Sequence, residues 1–230
     1  MEHQVIEVGG GLRIDVHLSG EPGAPWMMLL HALGERADDW GAVPEYFAST
    51  YRVAAIDLRG HGRSDWPGEY AFERMHDDVL GVLDGLGARD VVLVGHSLGG
   101  VVAYLVAEAQ PERVAALVVE DACPPYPRHG RTMAARPAGP LDFDWEVVPQ
   151  VHAQLDDSDR TSWPALADIT APTLIVGGGA TSHVPQELLA EASERIPNAT
   201  LVTIPVGHNV HAAASDAFIE VVERWLRDAS

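Results

Sequence analysis

Lysine is missing from this 230-residue chain, and all 15 of its lysine-or-arginine cations are arginine. That excludes Schiff-base chemistry and a lysine general base. Positive charge of any kind is thin against 34 acidic residues, which leaves a net charge of −19. Phosphate recognition needs clustered cations, so neither nucleic acid nor an anionic membrane surface fits as a partner. The acid is spread along the chain rather than gathered in a tail, and its reading is solubility. Cysteine is as scarce: Cys123 stands alone, which excludes an internal disulfide and a cysteine-based metal site. No apolar run approaches the roughly 18 residues of a membrane span, and Met1-Glu2-His3-Gln4 has neither a basic n-region nor an apolar h-region. The expectation is a soluble cytoplasmic protein, monomer or homodimer, whose partner is a small-molecule substrate.

What is present is a rhythm of strands and helices. Val5–Val8, Gly9-Gly10-Gly11 and Leu12–Leu18 read as a β-hairpin with a glycine turn. Short apolar strands follow at Trp26–Leu30, Arg52–Ile56, Val91–Val94, Val114–Glu120, Thr173–Val176 and Leu201–Ile204. Helical patterns fall between them: Asp38 to about Ser49, Phe72–Leu86, the segment after Gly100, Gln186–Ile196, and a closing Ser215–Arg227. Alternation at this spacing predicts an α/β fold with a mostly parallel, doubly wound sheet of about eight strands. An antiparallel N-terminal hairpin forms one edge, and helices cover both faces. From Ala122 to about Thr170 the rhythm stops, and prolines, aromatics and the run Asp156-Asp157-Ser158-Asp159 take over. A loop of that length within a compact domain is commonly a lid or binding segment. The chain therefore divides into core residues 1–121, a small cap at 122–170, and core residues 171–230.

The chemistry is concentrated after the fifth of these strands. Val91-Val92-Leu93-Val94 runs into Gly95-His96-Ser97-Leu98-Gly99-Gly100 and then a helix. Strand, G-x-S-x-G and helix together form the context of a nucleophile elbow, in which a strained turn lifts a serine hydroxyl above the sheet edge. Ser97 is thus the candidate nucleophile, and it needs a base and an orienting acid. Gly177-Gly178-Gly179 has no phosphate-binding pattern, so no nucleotide cofactor is indicated; the reading is cofactor-free and metal-free. Cys123 has no elbow and no adjacent base, and it reads as packing.

Three other stretches accompany the elbow in order: His31-Ala32-Leu33-Gly34, Asp57-Leu58-Arg59-Gly60-His61-Gly62-Arg63-Ser64, and Gly207-His208-Asn209-Val210-His211. With them the chain resembles the α/β-hydrolase superfamily over essentially its whole length. The resemblance implies that His208, after the last strand, is the base, with His211 its one competitor. It implies loop-shaping roles for His31 and His61 and a structural turn at Asp57 and Arg59–Ser64. It also implies an oxyanion hole made from the backbone N–H groups of Leu33 and Leu98.

The acid departs from the common pattern. Where many members carry an aspartate after the next-to-last strand, counting back from Pro185 gives Thr181, which has no charge to offer an imidazolium. Strand Val114–Glu120 ends in Glu120-Asp121, and alternation sends those two carboxylates to opposite faces, so only one can serve. Register with relatives whose acid sits at this strand end selects Asp121, with Glu120 the alternative. Tyr126, Phe143, Trp145 and Trp163 in the cap are the expected substrate-binding residues. The resulting expectation is a serine esterase acting on a carboxylic ester or related acyl compound. A lyase or cofactor-free peroxidase on the same scaffold, or a receptor-like binder with slow hydrolysis, stays open beside it.

Overall fold

Eight strands pair into one sheet in the order β1-β2-β4-β3-β5-β6-β7-β8 in the computed structural model, which describes residues 2–124, 126, 135–156 and 163–229. β1 (Glu2–Val8) and β2 (Leu12–Ser19) form the antiparallel hairpin, and β2 also runs antiparallel to β4 (Arg52–Ile56). The rest of the sheet is parallel: β3 (Trp26–Leu30), β5 (Val91–His96), β6 (Val114–Glu120), β7 (Thr173–Gly177) and β8 (Ala199–Thr203). The fold class expected from the strand–helix rhythm is the one observed.

Central strands that are apolar throughout must be covered on both faces, and β5 is buried along its whole length. Its alternate residues feed two separate cores. Val91 and Leu93 join the core that holds α2 (Phe72–Leu86) and α3 (Leu98–Ala109). Val92 and Val94 join the one that holds α1 (Val43–Phe47) and α7 (Ser215–Ala229). Between β7 and β8 runs α5 (Gln186–Arg195), and α6 (Val210–Ala213) is a single turn ahead of α7. No helix among the described residues is long and apolar enough to cross a membrane.

β1 starts three residues before the expected Val5, and two further differences from the sequence reading have a clear local cause. The helix expected from Asp38 to Ser49 is broken: Ala37–Trp40 is a 3₁₀ turn, and Gly41 then takes φ +57°, ψ −119°, a conformation that ends it. The chain restarts as α1 with Pro44 in its first turn, where a missing N–H costs no hydrogen bond. β8 begins two residues earlier than its apolar run because it is an edge strand, largely exposed, and its pairing rather than its hydrophobicity sets its length.

Between β6 and β7, the described part of the insertion contains α4 (Val147–Leu155) and a 3₁₀ turn at Trp163–Asp168. Polar side chains moor α4 to the start of α2. Gln150 Oε1 accepts the Tyr70 N–H at 2.9 Å, and Gln154 Oε1 accepts the Phe72 N–H at 2.8 Å. Tyr70 donates its hydroxyl proton to Asp144 at 2.6 Å. This mooring holds Val151 and Leu155 over the carboxyl ends of the central strands, beside Ser97.

Candidate active site

Parallel pairing brings the strand ends together. Leu30 lies opposite Gly95, His96 opposite Glu120, and Glu120 opposite Val176. The residues that follow each strand, His31, Ser97, Asp121 and Gly178, therefore gather at one sheet edge, the usual place for ligand sites in open α/β folds.

Ser97 occupies the turn between β5 and α3 with φ +51° and ψ −111°, a strained conformation for a residue with a Cβ. The turn is tight on all sides. A Cβ on Gly95 would fall 2.3 Å from the Gly99 carbonyl oxygen, and one on Gly99 would fall 2.1 Å from that of Leu30. Only glycine permits such approach, and the elbow read from the sequence is present.

The neighbouring N–H groups sort themselves by what they bind. Ala32 donates to Glu35 at 3.2 Å, Gly34 to His61 Nε2 at 3.1 Å, and Gly99 to the His31 carbonyl at 3.1 Å. The Leu33 and Leu98 N–H groups have no acceptor among the described residues. Two buried histidines fix this loop. His31 accepts from Leu58 N–H at 2.9 Å and holds the Ala32 carbonyl with Nδ1 at 2.7 Å. Burial lowers its pKa to about 4 and that of His61 to about 3, so both rings are neutral at pH 7, with one nitrogen able to accept. Asp57 accepts from Ala37 and Arg63 N–H at 2.8 and 2.7 Å and so holds its turn as a backbone brace.

At the end of β6 the two carboxylates diverge as alternation requires. Glu120 is fully buried and receives the His211 backbone N–H at 2.9 Å and its Nδ1 at 2.8 Å. Asp121 turns the other way, with φ +44°, and its Oδ2 accepts His208 Nδ1 at 2.7 Å. Oδ1 accepts Gly178 N–H at 2.8 Å and Gln186 Nε2 at 3.1 Å, while Ser182 donates its hydroxyl to Oδ2. Burial pushes the Asp121 carboxyl up, but these donors outweigh it and hold the group below the ordinary aspartate value. Thr181, at the position of the missing aspartate, is exposed. Its neighbour Ser182 is one of the donors to the Asp121 carboxylate. Ser182, Gln186 and Gly178 carried no signal in the sequence beyond their closeness to that position.

With Nδ1 committed to Asp121, Nε2 is the ring nitrogen that His208 has to offer. His208 and Ser97 line the same cavity, of about 330 Å³, without a hydrogen bond between them among the described residues. Such bonds are often long before substrate binds and tighten in the complex. Behind His208, buried His96 meets its carbonyl through Nε2 at 3.0 Å, and its Nδ1 faces Glu35 at 3.3 Å. Burial would raise the Glu35 pKa, yet hydrogen bonding and charge from His96, with the Ala32 N–H and His211, bring it to about 2. Asn209 donates to the other Glu35 oxygen at 2.7 Å.

Three of the four aromatics expected to bind substrate can be placed, and they sit elsewhere. Phe143 stacks on His61 with ring centres 5.8 Å apart and packs against Trp145 at 6.2 Å. Tyr126 packs against the core on the α2–α3 side. None of these three belongs to the described cavity lining, which is formed from the cap by Val151, His152 and Leu155. Phe143 and Trp145 brace their segment against His61, and the aliphatic face of α4 meets the cavity. The Trp163 side chain and the acidic residues after Asp156 lie outside the described residues.

The comparisons agree with this architecture. The model of the α/β hydrolase fold family matches residues 25–146, and the chain belongs to that family. A Haemophilus influenzae protein with the provisional name esterase/lipase is 29% identical over 88% of this chain and 83% of its own. Mouse epoxide hydrolase 4 is 41% identical, in a match that covers 47% of this chain and 31% of that one. A solved hydrolase from Pseudomonas aeruginosa PA01 shares the fold, with a TM-score of 0.83 over 98% of both chains at 24% identity. The relatives are hydrolases, and hydrolysis is the activity class they support for this protein.

Proposed function

We propose that the protein is a cofactor-independent serine hydrolase that cleaves a carboxylic ester, or a related acyl compound, through an acyl-enzyme on Ser97. The observation that carries this is the 2.7 Å Asp121–His208 pair beside a serine held in a strained elbow on the same cavity. In the first step His208 Nε2 takes the Ser97 hydroxyl proton as Oγ attacks the ester carbonyl carbon. Charge moves onto the carbonyl oxygen, which the Leu33 and Leu98 N–H groups receive. The C–O bond to the alcohol breaks, His208 returns the proton to the leaving alkoxide, and the acyl group stays on Oγ. Water activated by the same nitrogen then attacks the acyl-enzyme, and the carboxylic acid leaves. Asp121 fixes the imidazole tautomer and stabilises its cationic form throughout.

The cavity supports a small, neutral substrate. Its volume is at the low end for ligand sites. The described lining carries the carboxylates of Glu35 and Asp121 and no arginine, which disfavours a substrate carboxylate. A serine at the elbow disfavours the epoxide hydrolase activity named for some relatives, because that chemistry uses a carboxylate nucleophile in this superfamily.

Fluorophosphonate labelling combined with turnover of short p-nitrophenyl esters tests the proposal. Wild type is labelled at Ser97 and turns over, and Ser97→Ala does neither. Labelling without ester turnover would favour a lyase-type activity, and absence of labelling would favour a receptor-like binder.

A further inference from the structure

We propose that His3, Asp15 and His17 form a binding site for a first-row divalent transition-metal ion of the Zn²⁺ type, separate from the Ser97 cavity. The site is built by strand register. His3 of β1 lies directly opposite His17 of β2, so both side chains leave the same face of the hairpin. Asp15 is two residues before His17 and shares that face. As a result His3, Asp15 and His17 offer one ligand atom each, all within 4.8 Å of one another.

His17 points to the ion. Its side chain is 3% exposed, yet neither ring nitrogen has a hydrogen-bond partner. Carboxylate oxygens are near: Asp15 Oδ2 is 2.9 Å from Nε2, and Asp38 Oδ1 is 3.2 Å from Nδ1. They are close without being aligned for a proton. Buried polar nitrogens are almost always satisfied, as those of His31 and His61 are in this same protein. An ion between the groups accounts for closeness without alignment. Two donor atoms each about 2.1 Å from one ion stand roughly 3.0 Å apart at a right angle and roughly 3.4 Å apart at the tetrahedral angle. The separations to Asp15 Oδ2 are 2.9 Å from His17 and 3.3 Å from His3.

Two imidazoles and one carboxylate suit Zn²⁺, Co²⁺ or Ni²⁺ and not Ca²⁺ or Mg²⁺, which prefer oxygen alone. The His3 side chain is 39% exposed, which gives the ion a path in and leaves room for water as a further ligand. Asp38 Oδ1, 3.2 Å from the remote nitrogen of His17 but not aligned with it here, is within reach of the hydrogen bond that carboxylates make behind metal-bound histidines. Two cations lie near: an Arg63 guanidinium nitrogen is 3.3 Å from His3 Nδ1, and Arg36 Nε is 3.5 Å from Asp38 Oδ2. Arg63 is exposed and free to turn to solvent, and Arg36 touches no proposed ligand. The ion would tie the edge hairpin to the 3₁₀ turn Ala37–Trp40, which follows the loop carrying Leu33.

Calorimetric titration of Zn²⁺ into the full chain, stripped with a chelator and dialysed, tests this. The expected result is one ion per chain and a melting temperature that rises with Zn²⁺. His17→Ala abolishes both, and Asp38→Asn weakens binding by about tenfold. His3→Ala carries the test if His17→Ala fails to fold, because His3 is partly exposed. It loses the Zn²⁺-dependent rise in melting temperature while its metal-free ester turnover is unchanged. No stoichiometric binding in wild type overturns the proposal. So does a His3→Ala protein that binds Zn²⁺ as wild type does, since the ion would then lie elsewhere, for example at Glu35, His96 and His211.

Discussion

Replacing Asp121 by Asn removes a charge but not a shape, and the hydrogen bonds around it predict the outcome. Oδ1 receives protons from Gly178 N–H and Gln186 Nε2, so the amide oxygen of an asparagine would take that side. The amide nitrogen is then left facing Ser182 Oγ and His208 Nδ1, where Oδ2 had accepted from both. It can donate to each of them, which takes the acceptor away from the Ser182 hydroxyl proton and requires His208 Nδ1 to become an acceptor. The ring proton then sits on Nε2, the nitrogen that has to accept from Ser97. The fold should lose about 1–2 kcal/mol, the difference between charge-assisted and neutral hydrogen bonds. In a chain of this size that is a few degrees of melting temperature. Turnover should fall by about four orders of magnitude, roughly 5.5 kcal/mol of transition-state stabilisation. Measuring kcat for p-nitrophenyl acetate beside the melting temperature separates the two effects. Glu120→Gln is the control, because Glu120 serves His211 and not His208. If Asp121→Asn kept more than about a tenth of wild-type kcat, or a folded Glu120→Gln fell as far, the tautomer argument would be wrong.

Further expectations follow from other parts of the site. Glu35 is depressed from 4.5 to about 2 in the fold, so its contribution is complete above pH 4.5 and disappears as pH falls toward 2. That contribution is about 3 kcal/mol, and denaturant midpoints measured across this range should fall in wild type and stay flatter in Glu35→Gln. His96 has the opposite sign: burial lowers its pKa, but Glu120 and Glu35 raise it further, to above its ordinary value. Its contribution is complete below pH 6.5 and is lost as pH rises through the elevated value, so His96→Gln should flatten the alkaline limb of the same curve. Gly99→Ala sets a methyl 2.1 Å from the Leu30 carbonyl oxygen and should cost about 4 kcal/mol or more, seen as lost soluble yield or a collapsed denaturant midpoint. Val151→Ala and Leu155→Ala, which enlarge the described cavity wall, should shift ester preference toward longer acyl chains, whereas Trp145→Ala should leave the preference unchanged. A ratio of kcat/KM for butyrate and acetate esters reads both.

Most of the fold was legible because its signals are local. The apolar runs at Val91–Val94 and Val114–Glu120 are too short for helices and must be buried on both faces, and G-x-S-x-G after the first of them leaves one turn geometry open. What resisted reading depends on contacts between distant residues. Nothing in the spacing of Phe143 and Trp145 shows that they brace on His61 rather than face the cavity; that follows from Gly60 and Gly62 pairing with the backbone of Asp144 and Asp142. Likewise, His3 and His17 become neighbours only through hairpin register. The acid falls between these cases. Alternation along β6 could say that Glu120 and Asp121 point apart, but not which one meets His208. Asp121 meets it because the chain beyond β7 supplies donors for a carboxylate at the end of β6, through Gly178, Ser182 and Gln186. The threonine that appeared to break the pattern thus belongs to a loop that supports the acid from across the strand gap. Moving the carboxylate from that loop to the neighbouring strand end preserves its bond to His208 and the cavity it shares with Ser97, and the price is a left-handed backbone at Asp121 that the loop's hydrogen bonds hold in place.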